Sequence, residues 1–307
     1  MTVAMGSASE PETAKSPEYA LLRYNPFPDM HITVLGKSSL VGETGWRLAD
    51  VLNEKNLKAI SVIVEKACFP DLQPGDMQVR TIFAPVPDFS CDFVRHQELT
   101  QIFGLSEKVR LVRGRKADRF DLLKGSAGAF ATGGCHTLVA QIPGLDGNEY
   151  EMQMVHCARD TVIPKGLLLE RDFTGAKERG SIIDQMMRPL TPAQREGSRF
   201  AIVCGIGPLS FPHPGDNSPH YEINRRRIAY LKGRFANMEL WRGCFLGELS
   251  QGNLSMPHII FLELLRWGVP IGNIWHDGVD AGTDERLYCH SKPGDGRNLV
   301  LALNPGW

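Results

Sequence analysis

The sequence lacks the cysteine pattern of a disulfide-stabilised protein. Its 307 residues contain seven cysteines, an odd number, at positions 68, 91, 135, 157, 204, 244 and 289. No two of them have CxxC spacing, and this pattern is typical of a reducing compartment. Residues 1–19 contain no apolar segment of the kind that a secretory signal needs. We therefore expect a cytoplasmic protein.

An excess of charge of one sign is also absent. The chain has 34 Lys and Arg against 35 Asp and Glu, a net charge of −1, which gives no general attraction for nucleic acid or for an anionic membrane. The most apolar run, residues 258–269, is interrupted by Glu263 and Arg266 and is too short to cross a bilayer. We expect a small-molecule substrate and neither a nucleic-acid nor a membrane partner, and the oligomeric state stays open.

Two cofactor motifs are missing as well. The sequence GIGP at residues 205–208 follows a predicted strand, but it lacks both a GxGxxG continuation and a following Lys-Ser/Thr pair. We therefore expect no nucleotide cofactor. None of the nine histidines forms an HxH pair, which argues against a multicopper centre and the oxidation of phenols.

What the chain does contain is enough apolar material, 42% of its residues, for a sizeable core. Residues 1–19 are rich in Ser, Glu, Pro and Lys and predict a disordered tail, and residues 20–307 predict one mixed α/β domain. Alternating or continuous apolar patterns predict strands at residues 59–65, 77–84, 108–112, 127–132, 137–142, 151–156, 199–205 and 298–303. Helical spacing predicts helices at residues 46–56, 93–103, 181–188, 224–235 and 256–267.

Two of these strands carry chemically useful residues at neighbouring ends. Cys135 and His136 come just before one apolar run, and His156 and Cys157 come just after the next. If the runs pair through the loop at residues 143–148, the four side chains can converge. Cysteine and histidine are ligands of zinc, and they are equally a thiolate nucleophile and its base. The plainer alternative is that all four are ordinary buried residues.

A polar segment at residues 274–297 is the second candidate. It contains Asp277, Asp280, Asp284, His290 and Arg297, among other charged residues. Asp, Gly and Thr at this density favour a solvated loop with turns.

The order of these pieces resembles the laccase-domain family, also called the polyphenol oxidase, peptidoglycan editing factor or purine nucleoside phosphorylase family. RHQELTQIFGL at residues 95–105 resembles the helix before the family's QVHG segment, and LVRG at 111–114 stands where QVHG would. Gly134-Cys135 occupies the position of the family's ADC motif, and VHCAR at 155–159 occupies the position of AHAGWRG. The polar loop closed by GRNLVLAL at 296–303 resembles the end of the family's domain. The resemblance covers about residues 90–303.

This resemblance implies an α/β sandwich similar to the catalytic domain of cytotoxic necrotizing factor, with a zinc held by one Cys and two His. It implies that Cys135 and His156 are catalytic and that they are two of the ligands. Arg113 occupies the position of the first histidine, and arginine does not coordinate zinc. Either His136 or Cys157 replaces that ligand, or the metal is absent and Arg113 binds a phosphate or carboxylate.

The leading functional interpretation is an enzyme that acts on a purine nucleoside or similar molecule by phosphorolysis, hydrolysis or deamination, with zinc on Cys135, His156 and His136. The expected substrate contacts are Arg113, Arg159, Asp280, His290 and Arg297. We expect Arg113 to point into the pocket and to pair there with Asp280, Asp284 or a substrate anion. The alternatives are a metal-free enzyme resembling the cysteine hydrolases or an enzyme of specialised metabolism on the same scaffold, and a catalytically silent binding protein.

Overall fold

The computed structural model describes residues 12–16, 19–38, 45–46, 80–104, 109–146, 149–163, 180–207, 221–246, 253–289 and 296–305. The predicted strand at residues 59–65, nearly all of the predicted helix at 46–56, and His290 lie outside these ranges. Within them, no helix is long and apolar enough to span a membrane.

Eight strands form the larger sheet. They are β1 (Glu12–Ser16), β2 (Tyr19–Phe27), β3 (Met30–Ser38), β4 (Arg80–Phe83), β6 (Gln101–Gly104), β7 (Val109–Arg113), β9 (Ser126–Thr132) and β16 (Asn298–Asn304). Their order across the sheet is β1-β2-β3-β16-β9-β4-β7-β6. The pairing of β1 with β2 means that the expectation of a disordered tail is wrong for Glu12–Ser16.

Six strands form the second sheet. They are β5 (Phe93–Val94), β8 (Arg119–Leu122), β10 (His136–Pro143), β11 (Tyr150–Cys157), β12 (Arg199–Val203) and β15 (Ile274–His276), in the order β15-β12-β10-β11-β8-β5. The predicted hairpin is confirmed, because β10 and β11 pair antiparallel with His136 opposite Cys157 and Thr137 opposite His156. A short pair, β13 (Phe245–Leu246) and β14 (Asn253–Leu254), stands apart.

Helices cover one face of the six-stranded sheet. They are α1 (Arg159–Val162), α2 (Ile182–Met187), α3 (Pro192–Gly197), α4 (Tyr221–Arg234) and α5 (Met256–Arg266). One apolar core joins α1, α2, α4 and α5 to β10, β11 and β12, and a second core fills the space between the two sheets. A third lies on the outer face of the larger sheet. The molecule is therefore a single α/β domain of two mixed sheets with helices on one side, as the sequence predicts.

One predicted helix is wrong. Residues 93–103 form β5, a 3₁₀ turn at His96–Glu98 and β6, not a helix. The helical spacing rests on four apolar residues, and both ends of the segment instead pair with strands elsewhere in the chain, β8 and β7. Tertiary pairing here overrides the local pattern.

A buried ion cluster ties the helices together. Glu263 of α5 is fully buried and receives two hydrogen bonds from Arg234 of α4, one of them with Oε2 at 2.7 Å. Arg234 also donates to Asp184 of α2 at 2.6 Å, and Arg266 bonds to both carboxylates. A buried carboxylate is tolerated only when it is paired and hydrogen-bonded, so α2, α4 and α5 are held in one arrangement.

Replacing Arg234 by Met should therefore destabilise the fold severely. The change leaves Glu263 buried without its main partner, for which we expect a loss of about 3–5 kcal/mol in the free energy of unfolding. Lys232→Met, on the exposed side of the same helix, is the matched control and should cost little. Chemical denaturation of both variants measures the difference, and equal stabilities would contradict the assignment.

Candidate active site

Cys135 lies where the chain passes from one sheet to the other. β9 ends at Thr132 in the larger sheet and β10 begins at His136 in the smaller one, so Gly133, Gly134 and Cys135 make the crossing. Gly134 has φ of +140°, which favours glycine, and its carbonyl accepts a hydrogen bond of 2.8 Å from the Ile206 amide. These restraints place the Cys135 thiol, half-buried, at the rim of the space between the sheets.

His156, at the end of β11, is in contact with that thiol. The two side chains lie near enough to interact, and the charge of a Cys135 thiolate is the largest of the influences that raise the pKa of His156. The His156 ring is buried, and its Nδ1 lies 3.0 Å from Oδ1 of Asp118. With Nδ1 turned to the carboxylate, Nε2 is the nitrogen available to the thiol.

Asp118 completes a chain of three side chains, and its part was not predicted. It directly precedes β8 and is fully buried. Its Oδ2 accepts a 3.0 Å hydrogen bond from the Cys91 amide, and its carbonyl accepts one of 2.7 Å from the His156 amide. Cys91 holds a left-handed conformation, φ +64°, at this contact. No sequence signal marked it, because β8 reads RFDL, alternates charged and apolar residues, and was not among the predicted strands.

Electrostatics favours the protonated ring of His156. Burial lowers the pKa of His156, but the negative charge of a Cys135 thiolate and the hydrogen bond to Asp118 outweigh that effect and raise it to about 9. Two aromatic rings, Phe89 at 5.6 Å and Phe130 at 5.8 Å between ring centroids, pack against the imidazole. An imidazolium at His156 and a negative charge at Cys135 stabilise each other in this largely apolar setting.

A cavity of about 160 Å³ opens beside Cys135. The residues around it come from the crossing, from the end of β11 and from the helix side of the small sheet. Its lining consists of Phe89, Gly134, Cys135, His136, Cys157, Ala158, Arg159, Asp160, Ile206 and Met256.

His136 and Cys157 reach this cavity from the other face of the sheet. Successive strand residues point to opposite faces. His136 alternates with Leu138 toward the helix-side core, whereas His156 alternates with Met154 toward the space between the sheets. Three of the four predicted residues, Cys135, His136 and Cys157, therefore line one cavity, and His156 lies outside its lining, on the opposite face of the sheet from His136. Burial raises the pKa of the Cys157 thiol well above its usual range, which suits a structural cysteine.

The prediction that Arg113 points into the pocket is wrong. Arg113 alternates with Leu111, which belongs to the outer core of the larger sheet, while Val112 points toward the space between the sheets. It is absent from the described lining of the cavity. Asp284, one of its expected partners, makes its ion pair with Arg286, at 2.7 Å. The aromatic ring that packs against His156 is that of Phe89.

The other expected substrate contacts are distributed around the site. Arg159 lines the cavity and lies 3.3 Å from Asp160, which also receives a 3.1 Å hydrogen bond from Arg227 of α4. A Cβ added to Gly133 would come within 2.6 Å of the Arg297 guanidinium, so Arg297 packs on the crossing that carries Cys135. Asp280 forms an isolated bridge with Gly205 and lies outside the cavity lining.

These residues do not fit a three-ligand zinc site. Cys135 and His156 can donate, but Arg113 points away, His136 and Cys157 approach from the other face, and Asp118 binds the far nitrogen of His156. Across the described ranges, no group of three or more His, Cys, Asp or Glu side chains is placed to hold a metal ion.

Comparison with solved structures supports the fold. The chain is 14% identical to the crystal structures of NMB0706 from Neisseria meningitidis, described as a member of family DUF152, of hypothetical protein YfiH from Bacillus licheniformis and of YlmD from Geobacillus stearothermophilus. The TM-scores are 0.55, 0.55 and 0.53; the matches cover 97%, 94% and 95% of this chain and 100%, 98% and 98% of theirs. No family model and no curated protein sequence matches the chain.

The coupling of Asp118 to His156 predicts an unusual titration. His156 should keep its proton until the pH approaches about 9, and Asp118→Asn should lower that pKa because it removes a negative hydrogen-bond acceptor. The pKa of His156 in the folded protein is raised above the unfolded value near 6.5. The stability contributed by the protonated ring is therefore complete below pH 6.5 and is lost as the pH rises through about 9.

NMR titration of the His156 ring in both proteins measures this shift. Asp121→Asn is the matched control. Asp121 lies on β8, the strand that Asp118 directly precedes, but its Oδ2 is 3.2 Å from Nδ1 of His96. The coupling is refuted if the His156 midpoint is the same in the wild type and in Asp118→Asn.

Proposed function

We propose that the chain is a thiol-dependent hydrolase that cleaves a carbon–nitrogen bond at a planar, electrophilic carbon. The observation that carries the proposal is the continuous contact from Cys135 through His156 to Asp118 beside a cavity. A nucleophile, a base in contact with it and a third group that orients the base are the general arrangement for covalent catalysis.

Each residue has one task in this mechanism. The Cys135 thiolate attacks the carbon, and protonated His156 gives its proton to the leaving nitrogen as the carbon–nitrogen bond breaks. Neutral His156 then takes a proton from water, and the resulting hydroxide attacks the same carbon. The carbon–sulfur bond breaks, which restores the thiolate and the imidazolium. Asp118 holds Nδ1 and stabilises the imidazolium throughout.

Membership of the laccase-domain family, to which the DUF152 proteins belong, is part of the proposal. The motif order and the shared fold support it. The purine nucleosides implied by that resemblance remain the first substrates to test, because the amino-bearing carbon of adenosine is a planar carbon bonded to nitrogen. Phosphorolysis at the sugar carbon is less well supported, since that carbon is not planar and a thiol has no obvious part in the transfer.

The test is release of ammonia from adenosine and, in a parallel arm, from a glutamine-containing peptide. We expect turnover in one arm, its complete loss in Cys135→Ala, and a reduction of about 10²–10⁴-fold in Asp118→Asn, the usual contribution of the acid–base group that Asp118 positions. Cys244→Ala is the control, because that thiol is buried in the helix-side core and its pKa is raised to about 12.

Metal dependence separates this proposal from the zinc enzyme that the resemblance implies. Turnover by the thiol mechanism should survive dialysis against a strong chelator, and added zinc should inhibit by binding the thiolate. Activity that disappears with the chelator and returns with zinc would overturn the metal-free mechanism. Full activity in Cys135→Ala would overturn the choice of nucleophile.

A further inference from the structure

His136 has no part in the proposed chemistry, yet it is the most unusual polar group at the cavity. Its side chain is 1% exposed, and neither ring nitrogen has a hydrogen-bond partner among the residues that the structure describes. Leaving such a group unpaired costs about 1–3 kcal/mol. A buried polar group that is retained without a partner therefore needs an explanation.

The ring is held firmly where it is. A Cβ added to Gly205 would lie 2.2 Å from three atoms of the His136 imidazole, so the ring packs directly on the backbone there. On its other side is His276, with ring centroids 6.3 Å apart. The absence of a side chain at residue 205 is thus required by the position of His136.

We propose that His136 is the specificity-determining residue of the cavity and hydrogen-bonds the polar edge of a flat, uncharged heteroaromatic ring. The cavity wall is otherwise suited to such a ring. Phe89 offers an aromatic face that is 58% exposed, and Ile206 and Met256 are apolar. A buried cavity of about 150 Å³ is known to take up a benzene-sized ring.

The protonation state of His136 fits this role. Burial, helped by the neighbouring His276, lowers the pKa of His136 to about 3, so the ring is neutral and offers one donor and one acceptor. A ligand edge that carries an N–H or a ring nitrogen can pair with one of the two. The inference rests on the proposed function only in treating the cavity beside Cys135 as the substrate site.

The experiment compares benzimidazole, which has one N–H and one ring nitrogen, with indene, which has the same shape and no polar atom. Both are titrated by calorimetry or NMR into Cys135→Ser, so that binding is measured without turnover. We expect benzimidazole to bind about ten-fold more tightly than indene, the gain from one neutral hydrogen bond. In His136→Leu that preference should vanish while indene still binds.

Stability provides the second readout. If His136 is kept for a ligand, His136→Leu without ligand should unfold at the same temperature as the parent or higher, because an unpaired buried polar group has been removed. His258→Leu is the control, since His258 is bonded to the Leu240 carbonyl at 2.8 Å and should destabilise on replacement. Equal affinities for the two probes in Cys135→Ser, or a less stable His136→Leu that keeps the preference, would overturn the proposal.

The outcomes also separate the two proposals. A preference for benzimidazole that depends on His136, without any turnover that depends on Cys135, refutes the hydrolase and leaves the binding role intact. Turnover that depends on Cys135 with no effect of His136 on the choice of ring refutes the binding role alone.

Discussion

The buried imidazole of His156 must find partners for both ring nitrogens inside the protein, because a polar group withdrawn from water is costly unless it is hydrogen-bonded. Asp118 is the partner of Nδ1, and Cys135 interacts electrostatically with the ring. This requirement links three separate segments of the chain: the end of β11, the entrance of β8 and the crossing between β9 and β10. The register of the small sheet, with His136 opposite Cys157, brings the first and third together.

The two-sheet architecture explains why the Cys135 thiol lies at a rim. Apolar residues fill the space between the sheets, so a reactive thiol within that core would have no access to substrate. The Gly133–Gly134–Cys135 crossing leaves the core and exposes Cys135 to a cavity, while the base behind it stays buried between Phe89 and Phe130. Rigid elements thereby hold Cys135 and His156, and burial around His156 strengthens their interactions.

The strands and the Cys135–His156 pair were predictable because they depend on local signals: two apolar runs, a short loop, and a Cys and a His at adjoining ends. Asp118 was not, since it lies 38 residues from His156 and reaches it through long-range strand pairing. The predicted orientation of Arg113 was wrong for a different reason. A shift of one residue along a strand moves a side chain to the opposite face, and a motif alignment does not fix that register. Similarly, the spacing at residues 93–103 could not reveal which distant strands would pair with them.

Covalent labelling tests most directly whether Cys135, His156 and Asp118 act as one unit. Treating the folded protein with limiting chloroacetamide and mapping the modified peptides ranks the seven cysteines by reactivity. The account predicts that Cys135 is modified first, and that its rate falls in His156→Gln and in Asp118→Asn while the other cysteines are unchanged. Labelling of Cys135 that is no faster than that of the buried cysteines, or that is indifferent to both substitutions, would contradict it.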